Sequence, residues 1–407
     1  MTTADEAVFT FDTLLSAEFT RTPQPYFRQL RATNPVMRTP SMFGDPGSTV
    51  FVGRGDDVEM VLRDPARFSS HFAAGSKLGF PLIPITVDPP DHHRYRRLLD
   101  PLFGPKQMGR LEGAITARAD ALIDAFAERG ACDVAEEFAV PLPCGVFLDL
   151  MGLPSEELDT FVRWKEAILR GTDGSLAGDD PLRLAAQHES TQRFEQLIEE
   201  RRAQPRDDLL SVLVDAEIEG VPITREELLG ICHIMLIAGL DTVTDSLTCF
   251  FAYLAEHPDQ RQRIVDDPAV IPAAVEELLR YESPVPFIVR VATCSTEVRG
   301  VPVAAGDHVV CLLGSADTDE QVIPGADTVD FDREGNRHFA FGVGIHRCLG
   351  SHLARLELRL ALARWHARIP EYRVPDGVEL VFAPILRQVE HLPLEFTPSP
   401  VGTIRAP

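Results

Sequence analysis

From residue 91 to about residue 285 the apolar positions recur mostly with a helical period, whereas short alternating runs occur nearer both ends. In the first 70 residues, "PVMRT" and "STVFVG" predict two strands around the turn "GDPG", and "RGDDVEMVLRDP" predicts a helix. Residues 71–90, "HFAAGSKLGFPLIPITVDPP", have no clear period and are rich in Pro, Gly and aliphatics. A loop of that length and apolarity is expected to be a lid, with a buried connector as the plainer alternative.

After Val285 the pattern shortens again. "STEVRGVPVAAGDHVVCLL" reads as strands with Gly300 and Gly306 in turns, and the tail carries strand-like "VELVFAP" and "HLPLEF". Between them stands "LGSHLARLELRLALARWHARIP", where Leu349, Leu353, Leu356 and Leu360 share a stripe at three- and four-residue spacing, so a helix is expected. The sum predicts a mainly α protein with a smaller β-containing lobe. No Gly/Ser-rich, Pro-rich or single-charge linker divides the 407 residues, so one domain, 1–407, is expected.

"LLGICHIMLIAGLDTVTDSLTCFFAYLAEHP" predicts the longest helix, starting at a capping box of Thr224 and Glu227 and ending before Pro258. About 32 residues at ~1.5 Å each would reach ~48 Å, enough to cross the molecule. Its middle is unusual, because Asp241 and Thr242 interrupt an apolar helix directly after Ala238 and Gly239. A hydroxyl bonded back to a carbonyl would bend the helix there.

Composition changes the picture in three ways. A formal net charge of −23 argues against nucleic acid as a partner. Seven cysteines, with no CxxC pair, suit a reducing compartment better than a disulfide framework. The start "MTTADEAVFTFDTLL" lacks the pattern of a signal peptide, and the longest apolar run, Ile231–Leu240, is short of the ~20 residues of a membrane span. A soluble, cytoplasmic protein without membrane insertion is expected, and a monomer.

One segment carries the chemistry. In "HFAFGVGIHRCLG" the glycines Gly342, Gly344 and Gly350 surround Cys348 just before the predicted helix. Glycines let the backbone turn tightly and let a bulky planar group approach. A helix N-terminus favours a thiolate, so a low-pKa sulfur is expected. Zinc would want several more Cys or His ligands, and only His338, His346 and His352 are near. A catalytic nucleophile would want a nearby base. A buried structural cysteine would leave the phenylalanine, the glycine spacing and Arg347 without a role. A thiolate ligand to haem iron uses all of these features.

"FGVGIHRCLG" resembles the haem-binding signature of the cytochrome P-450 family at Phe341, Gly342, Gly344, His346, Cys348 and Gly350. Three further constellations support the resemblance. Glu277 and Arg280 in "AVEELLRY" match the family's ExxR pair, and Arg333 in "FDREGNRHFAFG" is placed like the arginine that meets it; the implied role is structural. "AGLDT" is similar to the distal-helix motif, which implies an oxygen groove beside Ala238 and a proton relay through Asp241 and Thr242. His92 and Arg96 in "DPPDHHRYRRLL", with Arg290 and His346, are similar in position to the groups that hold the haem propionates. Two residues before Arg290 stands Ile288, where the bacterial camphor hydroxylase has an aspartate. The wording of "AGLDTV", "IPAAVEELLR" and "HLPL" is most similar to that branch.

The resemblance runs from about residue 20 to the C-terminus. It implies the family's fold, with haem b between a long distal helix and the cysteine-bearing helix, and insertion of one atom of O2 into a hydrophobic molecule of terpenoid, steroid or fatty-acyl type. Candidate substrate contacts are Phe80, Leu82 and Ile83 in the lid, Val285, Phe287 and Ile288 after the ExxR helix, and Ile385 and Leu386 near the end. Electrons must come from NAD(P)H through a separate carrier, since no dinucleotide fingerprint is present. Residues 341–370 hold five arginines and one acid, and residues 91–110 hold five Lys/Arg and two Asp. In an acidic chain these segments are expected to dock an acidic ferredoxin. A peroxide-driven haem-thiolate enzyme and a non-catalytic haem sensor are the alternatives; intact Asp241 and Thr242 speak against both.

Overall fold

A computed structural model describes residues 11–43, 47–71, 81–171, 180–400 and 402. Phe80, with residues 72–79 of the expected lid, lies outside them. Helices dominate, and five strands form the larger sheet of a smaller lobe. The predicted hairpin is present: Val36–Pro40 pairs antiparallel with Ser48–Val52, Val36 opposite Val52. His308–Cys311 runs parallel to Ser48–Val52 and antiparallel to Ile288–Ala292, which sets Arg290 opposite Val309. Phe68–Ser69 closes the sheet. Thr296–Val298 and Val301–Val303 form a hairpin, in which Arg299 and Gly300 both take positive φ. Such a turn matches the twist of its strands.

One expectation about the tail is corrected. "HLPLEF" contains a strand, Pro393–Phe396, but "VELVFAP" makes only an isolated bridge from Phe382 to Val389. The region 91–285 is mainly helical, as expected, with short strands besides: Ala131–Asp133 pairs with Pro393–Phe396, and Glu217–Ile218 pairs with Val221–Pro222.

The long helix is two helices, Arg225–Leu240 and Thr242–Glu256, broken at Asp241. Its start is as expected. Thr224 Oγ1 accepts the Glu227 N–H, and Glu227 Oε2 accepts the Thr224 N–H. At the break, hydroxyls serve carbonyls: Thr242 donates to Ala238 at 3.2 Å, and Thr244 donates to Ala139 at 3.0 Å and Leu240 at 3.1 Å. Taken together, Arg225–Glu256 is long and apolar enough to cross a bilayer, but 67% of its most apolar window is buried inside the protein.

The cysteine-bearing helix is Ser351–Arg368. Its buried face is Leu358, Ala361, Leu362 and Trp365; of the predicted stripe, only Leu356 is fully buried. The Trp365 ring meets Phe126, Phe138, Phe251, Tyr372 and Phe396. Emptying such a site costs about 3–5 kcal/mol, so this helix is a fixed platform.

Within residues 81–90, Ile83 and Pro84 pack down while Ile85 points out. Ile83 is fully buried in one apolar cluster with Leu228, Leu229 and Ile231 of the distal helix. The carbonyl of Pro81 approaches Gly230 so closely that a Cβ there would collide with it. For this part of the loop, the connector alternative holds.

Candidate active site

The cysteine loop is shaped by its backbone. Gly342 and Gly344 both have positive φ, and a Cβ on Gly344 would lie 2.6 Å from the Leu62 carbonyl, so the loop packs directly on helix Gly55–Arg63. The Cys348 N–H donates to the Phe341 carbonyl at 2.8 Å. Cys348 itself is exposed to solvent. Desolvation pushes its thiol up, against the Gly350 N–H and the guanidinium groups of Arg96, Arg347 and Arg355, which pull it down. The protein's own charges thus favour the thiolate, as expected, but desolvation outweighs them. A metal cation would deprotonate it outright.

Glu277 anchors the segment before the loop. It is fully buried and accepts from Arg280 at 2.7 and 2.8 Å and from Arg333 at 3.0 and 3.1 Å. Asn336 and the Asp330 N–H add bonds of 3.0 and 2.9 Å. Arg280 also donates to the carbonyls of Asp317, Ala326 and Thr328. The pair that reads in sequence as a surface i,i+3 contact is thus a buried knot that holds the polypeptide entering the cysteine loop. Sequence reasoning missed its neighbour Glu276. That carboxylate accepts from Arg355 at 2.6 and 2.8 Å and from His338 at 3.0 Å, and Arg355 lies 4.2 Å over the Phe341 ring. Burial opposes ionisation of Glu276, but His338 and Arg355 hold it down at about 2.

His92, Arg96, Arg290 and His346 converge, as expected. The rings of His92 and His346 are 4.2 Å apart. Burial, with Arg96 and His93 adding, lowers His92 to about 4. Burial, with Arg290, His92, Arg96 and His93 adding, lowers His346 to about 3. Both ring nitrogens of His92 and Nε2 of His346 are buried without a hydrogen-bond partner among the described residues. Arg96 donates to the Arg347 carbonyl at 2.9 Å and pairs with Asp100 at 2.7 Å. Four basic groups, two of them with orphaned ring nitrogens, are what a ligand carrying carboxylates would satisfy. On the distal helix Ala238 and Gly239 are exposed between buried Leu236 and Leu240, which leaves space beside the break. The thiol, the basic quartet and this apolar gap fit an iron porphyrin.

Asp241 and Thr242 do not face a common point. Asp241 is fully buried, and its Oδ1 lies 2.7 Å from Nζ of Lys165, also fully buried. Lys165 is 2.7 Å from Glu166 as well, and Arg170 stands 4.0 Å from Asp241. Nothing in "FVRWKEAILR" marks Lys165 as buried, so sequence reasoning missed it.

The expected substrate contacts divide. Val285 and Ile288 border the cluster of the sheet lobe, while Phe287 packs toward the N-terminal helices, where it shares a crevice with Ile385, Phe19 and Phe27. Leu82 and Leu386 are half-buried. Ile83 is core, which corrects its assignment as a substrate contact. Ile385 has φ 73°, costly for a β-branched residue. The basic patch is also smaller than its composition suggests. Arg355, Arg364 and Arg368 are paired with Glu276, Asp120 and Asp124; Arg347 and Arg359 have no acidic partner among the described residues.

Residues 183–271 and 267–365 match the model of the family described as cytochrome P-450. The probable cytochrome P-450 127A1 of Sinorhizobium fredii is 39% identical over 84% of this chain and 82% of its own. The steroid C26-monooxygenase of Mycobacterium tuberculosis H37Rv is 35% identical over 92% of this chain and 94% of its own. CYP109E1 of Bacillus megaterium, solved in complex with testosterone, superposes with a TM-score of 0.85 at 30% identity, over 93% of this chain and 99% of its own.

Proposed function

The chain belongs to the cytochrome P-450 family and is a monooxygenase with that family's fold, and from that premise we propose that it hydroxylates a hydrophobic small molecule of steroid, terpenoid or fatty-acyl size. The observation that carries the reading is the convergence of His92 and His346, with orphaned ring nitrogens, on Arg96 and Arg290 beside the exposed Cys348 loop. Haem is implied by the family, and haem b is the form proposed. Two relatives support the substrate class: one is a steroid C26-monooxygenase and the other was solved in complex with testosterone.

The residues have separable tasks. Cys348 ligates the iron, with its N–H tied to Phe341 to fix the loop. His92, Arg96, Arg290 and His346 hold the propionates, with Phe341, Gly342 and Gly350 shaping the loop around the macrocycle. When bound, haem supplies the activation of O2, which the thiolate ligand favours. Thr242 orients water beside the gap, its hydroxyl now on the Ala238 carbonyl at 3.2 Å. Asp241 relays protons, which requires its carboxylate to leave Lys165 for part of each cycle. Glu277, Arg280 and Arg333 keep the cysteine segment in place. Val285 and Ile288 contact substrate, and so do Phe287, Leu82, Ile385 and Leu386 where the molecule reaches them.

Electrons from NAD(P)H arrive through a ferredoxin on the cysteine side, at Arg347 and Arg359. The protein acts as a soluble cytoplasmic monomer with one domain. The test is the spectrum of the reduced protein with carbon monoxide. A Soret band at the red position of thiolate ligation, lost in Cys348→Ala, is expected. A band at the position of imidazole ligation would overturn the reading, and turnover with peroxide but not with ferredoxin and reductase would replace the electron route.

A further inference from the structure

Asp245 follows Asp241 by one helical turn, and the Asp245 N–H donates to the Asp241 carbonyl at 2.8 Å. Side chains four apart on a helix lie on one face, with Cβ atoms about 5–6 Å apart. Both residues are fully buried. Their oxygens are unevenly served. Asp241 Oδ1 has Lys165, whereas Asp241 Oδ2 and both oxygens of Asp245 have no hydrogen-bond partner among the described residues. A buried carboxyl with neither oxygen bonded is rare and calls for a physical reason.

Charge counting supplies one. The groups facing Asp245 are Asp241, the cap that precedes its helix, and Lys165, Glu166 and Arg170 on helix Leu158–Arg170; Cys249, one further turn along, feels Asp245 as well. Lys165 and Arg170 are already balanced by Asp241 and Glu166. Ionised, Asp245 would be an uncompensated buried anion beside another anion, which burial and like-charge repulsion both oppose. Neutral, it carries one O–H donor, and the orphaned Asp241 Oδ2 is a matching acceptor on the same face. Burial, then Asp241, push the Asp245 carboxyl well above the usual range, in the same direction.

We infer that Asp245 is protonated in the resting enzyme and forms with Asp241 a two-carboxyl pair holding one proton, from which the relay draws. This rests on the reading of Asp241 as a relay acid. The step moves a proton only. Asp245 gives its proton to Asp241 Oδ2, Asp241 then passes that same proton toward the Thr242 side, and a replacement proton enters from bulk water at half-exposed Glu166, crosses by way of Lys165 to Asp241 and returns to Asp245. Such a pair titrates as a unit.

Infrared difference spectra of the holoenzyme test the pair without turnover. At neutral pH, wild type minus Asp245→Asn is expected to show a protonated-carboxyl C=O band. The same band should vanish in Asp241→Asn, where Asp245 becomes the only carboxylate on that face and ionises against Lys165. A featureless difference for Asp245→Asn, or a band that survives Asp241→Asn, overturns the pair. Turnover tests the use made of it. Asp245→Asn should lower the rate about tenfold, below the ~100-fold of a directly acting acid, raise the solvent deuterium isotope effect and leave the substrate-induced spin shift unchanged. A wild-type rate and isotope effect overturn the storage role. If Asp241→Asn turns over normally while the band behaves as expected, the pair stands and the relay reading fails. Should Asp245→Asn not fold, Asp245→Glu, which keeps the acid, is expected to retain the band; its absence there is equally adverse.

Discussion

Tyr95 Oη donates to Glu227 Oε1 at 2.6 Å. The other oxygen of the same carboxylate closes the capping box at the start of the distal helix. One acid therefore joins helix Asp91–Leu99, which bears His92 and Arg96, to helix Arg225–Leu240, which bears Ala238. Tyr95→Phe removes a hydrogen bond to a charged group and should cost about 1.5–3 kcal/mol, read as a lower denaturant midpoint. Glu227→Ala should cost more, because the cap is lost as well. Equal effects of the two would show that the phenol contributes everything.

Glu277→Gln leaves Arg280 and Arg333 buried or nearly so against a neutral amide. Breaking one member of a buried pair costs about 3–5 kcal/mol. The variant should retain less haem on purification, and the carbon monoxide spectrum should drift toward that of a protein whose thiolate bond is lost. Haem content equal to wild type would show that the knot does not govern the cysteine loop.

Thr242→Ala frees the Ala238 carbonyl and removes the hydroxyl from the gap. Electron consumption should continue while product per electron falls and peroxide rises. Unchanged coupling would remove Thr242 from proton handling.

Glu357 sets a pH dependence. It is buried on the cysteine-bearing helix, Oε2 has no partner, and burial raises it to about 8 from an ordinary 4.5. The folded state keeps a proton that the unfolded chain releases above pH 4.5, so stability from this group falls as pH rises from 4.5 to 8 and levels beyond. The slope is at most about 1.4 kcal/mol per pH unit. Glu357→Gln should flatten that alkaline decline. Parallel stability curves for variant and wild type would show that the carboxyl is ionised in the fold.

Reversing Arg359 to Glu should weaken ferredoxin-driven turnover and its salt dependence while leaving peroxide-driven chemistry unchanged; reversing Arg347, whose guanidinium acts on Cys348, should weaken both. Reversing Arg364, already neutralised by Asp120, should do less. An equal loss from each would mean that the pairs open on docking.

The parts legible in the sequence are those in which chemistry lies within a few residues. Cys348 with its glycines, the Glu277–Arg280 spacing and the Thr224–Glu227 cap are local patterns, and their geometry followed. Lys165 was illegible because its partner Asp241 is 76 positions away and only tertiary packing buries it. Ile83 misled because an apolar loop residue looks the same whether it lines a cavity or fills a core. The arginines of the cysteine-bearing helix misled because Asp120 and Asp124, which neutralise two of them, belong to another helix. "VELVFAP" has strand-like residues but finds a partner at one position only.

The contact between Gly230 and the Pro81 carbonyl bears on protein engineering. Any side chain at 230 must displace main chain, so this turn of the helix and the loop at Pro81 are locked against each other. Libraries meant to widen the entrance for bulkier molecules should spare that glycine and vary positions that do not bear on it.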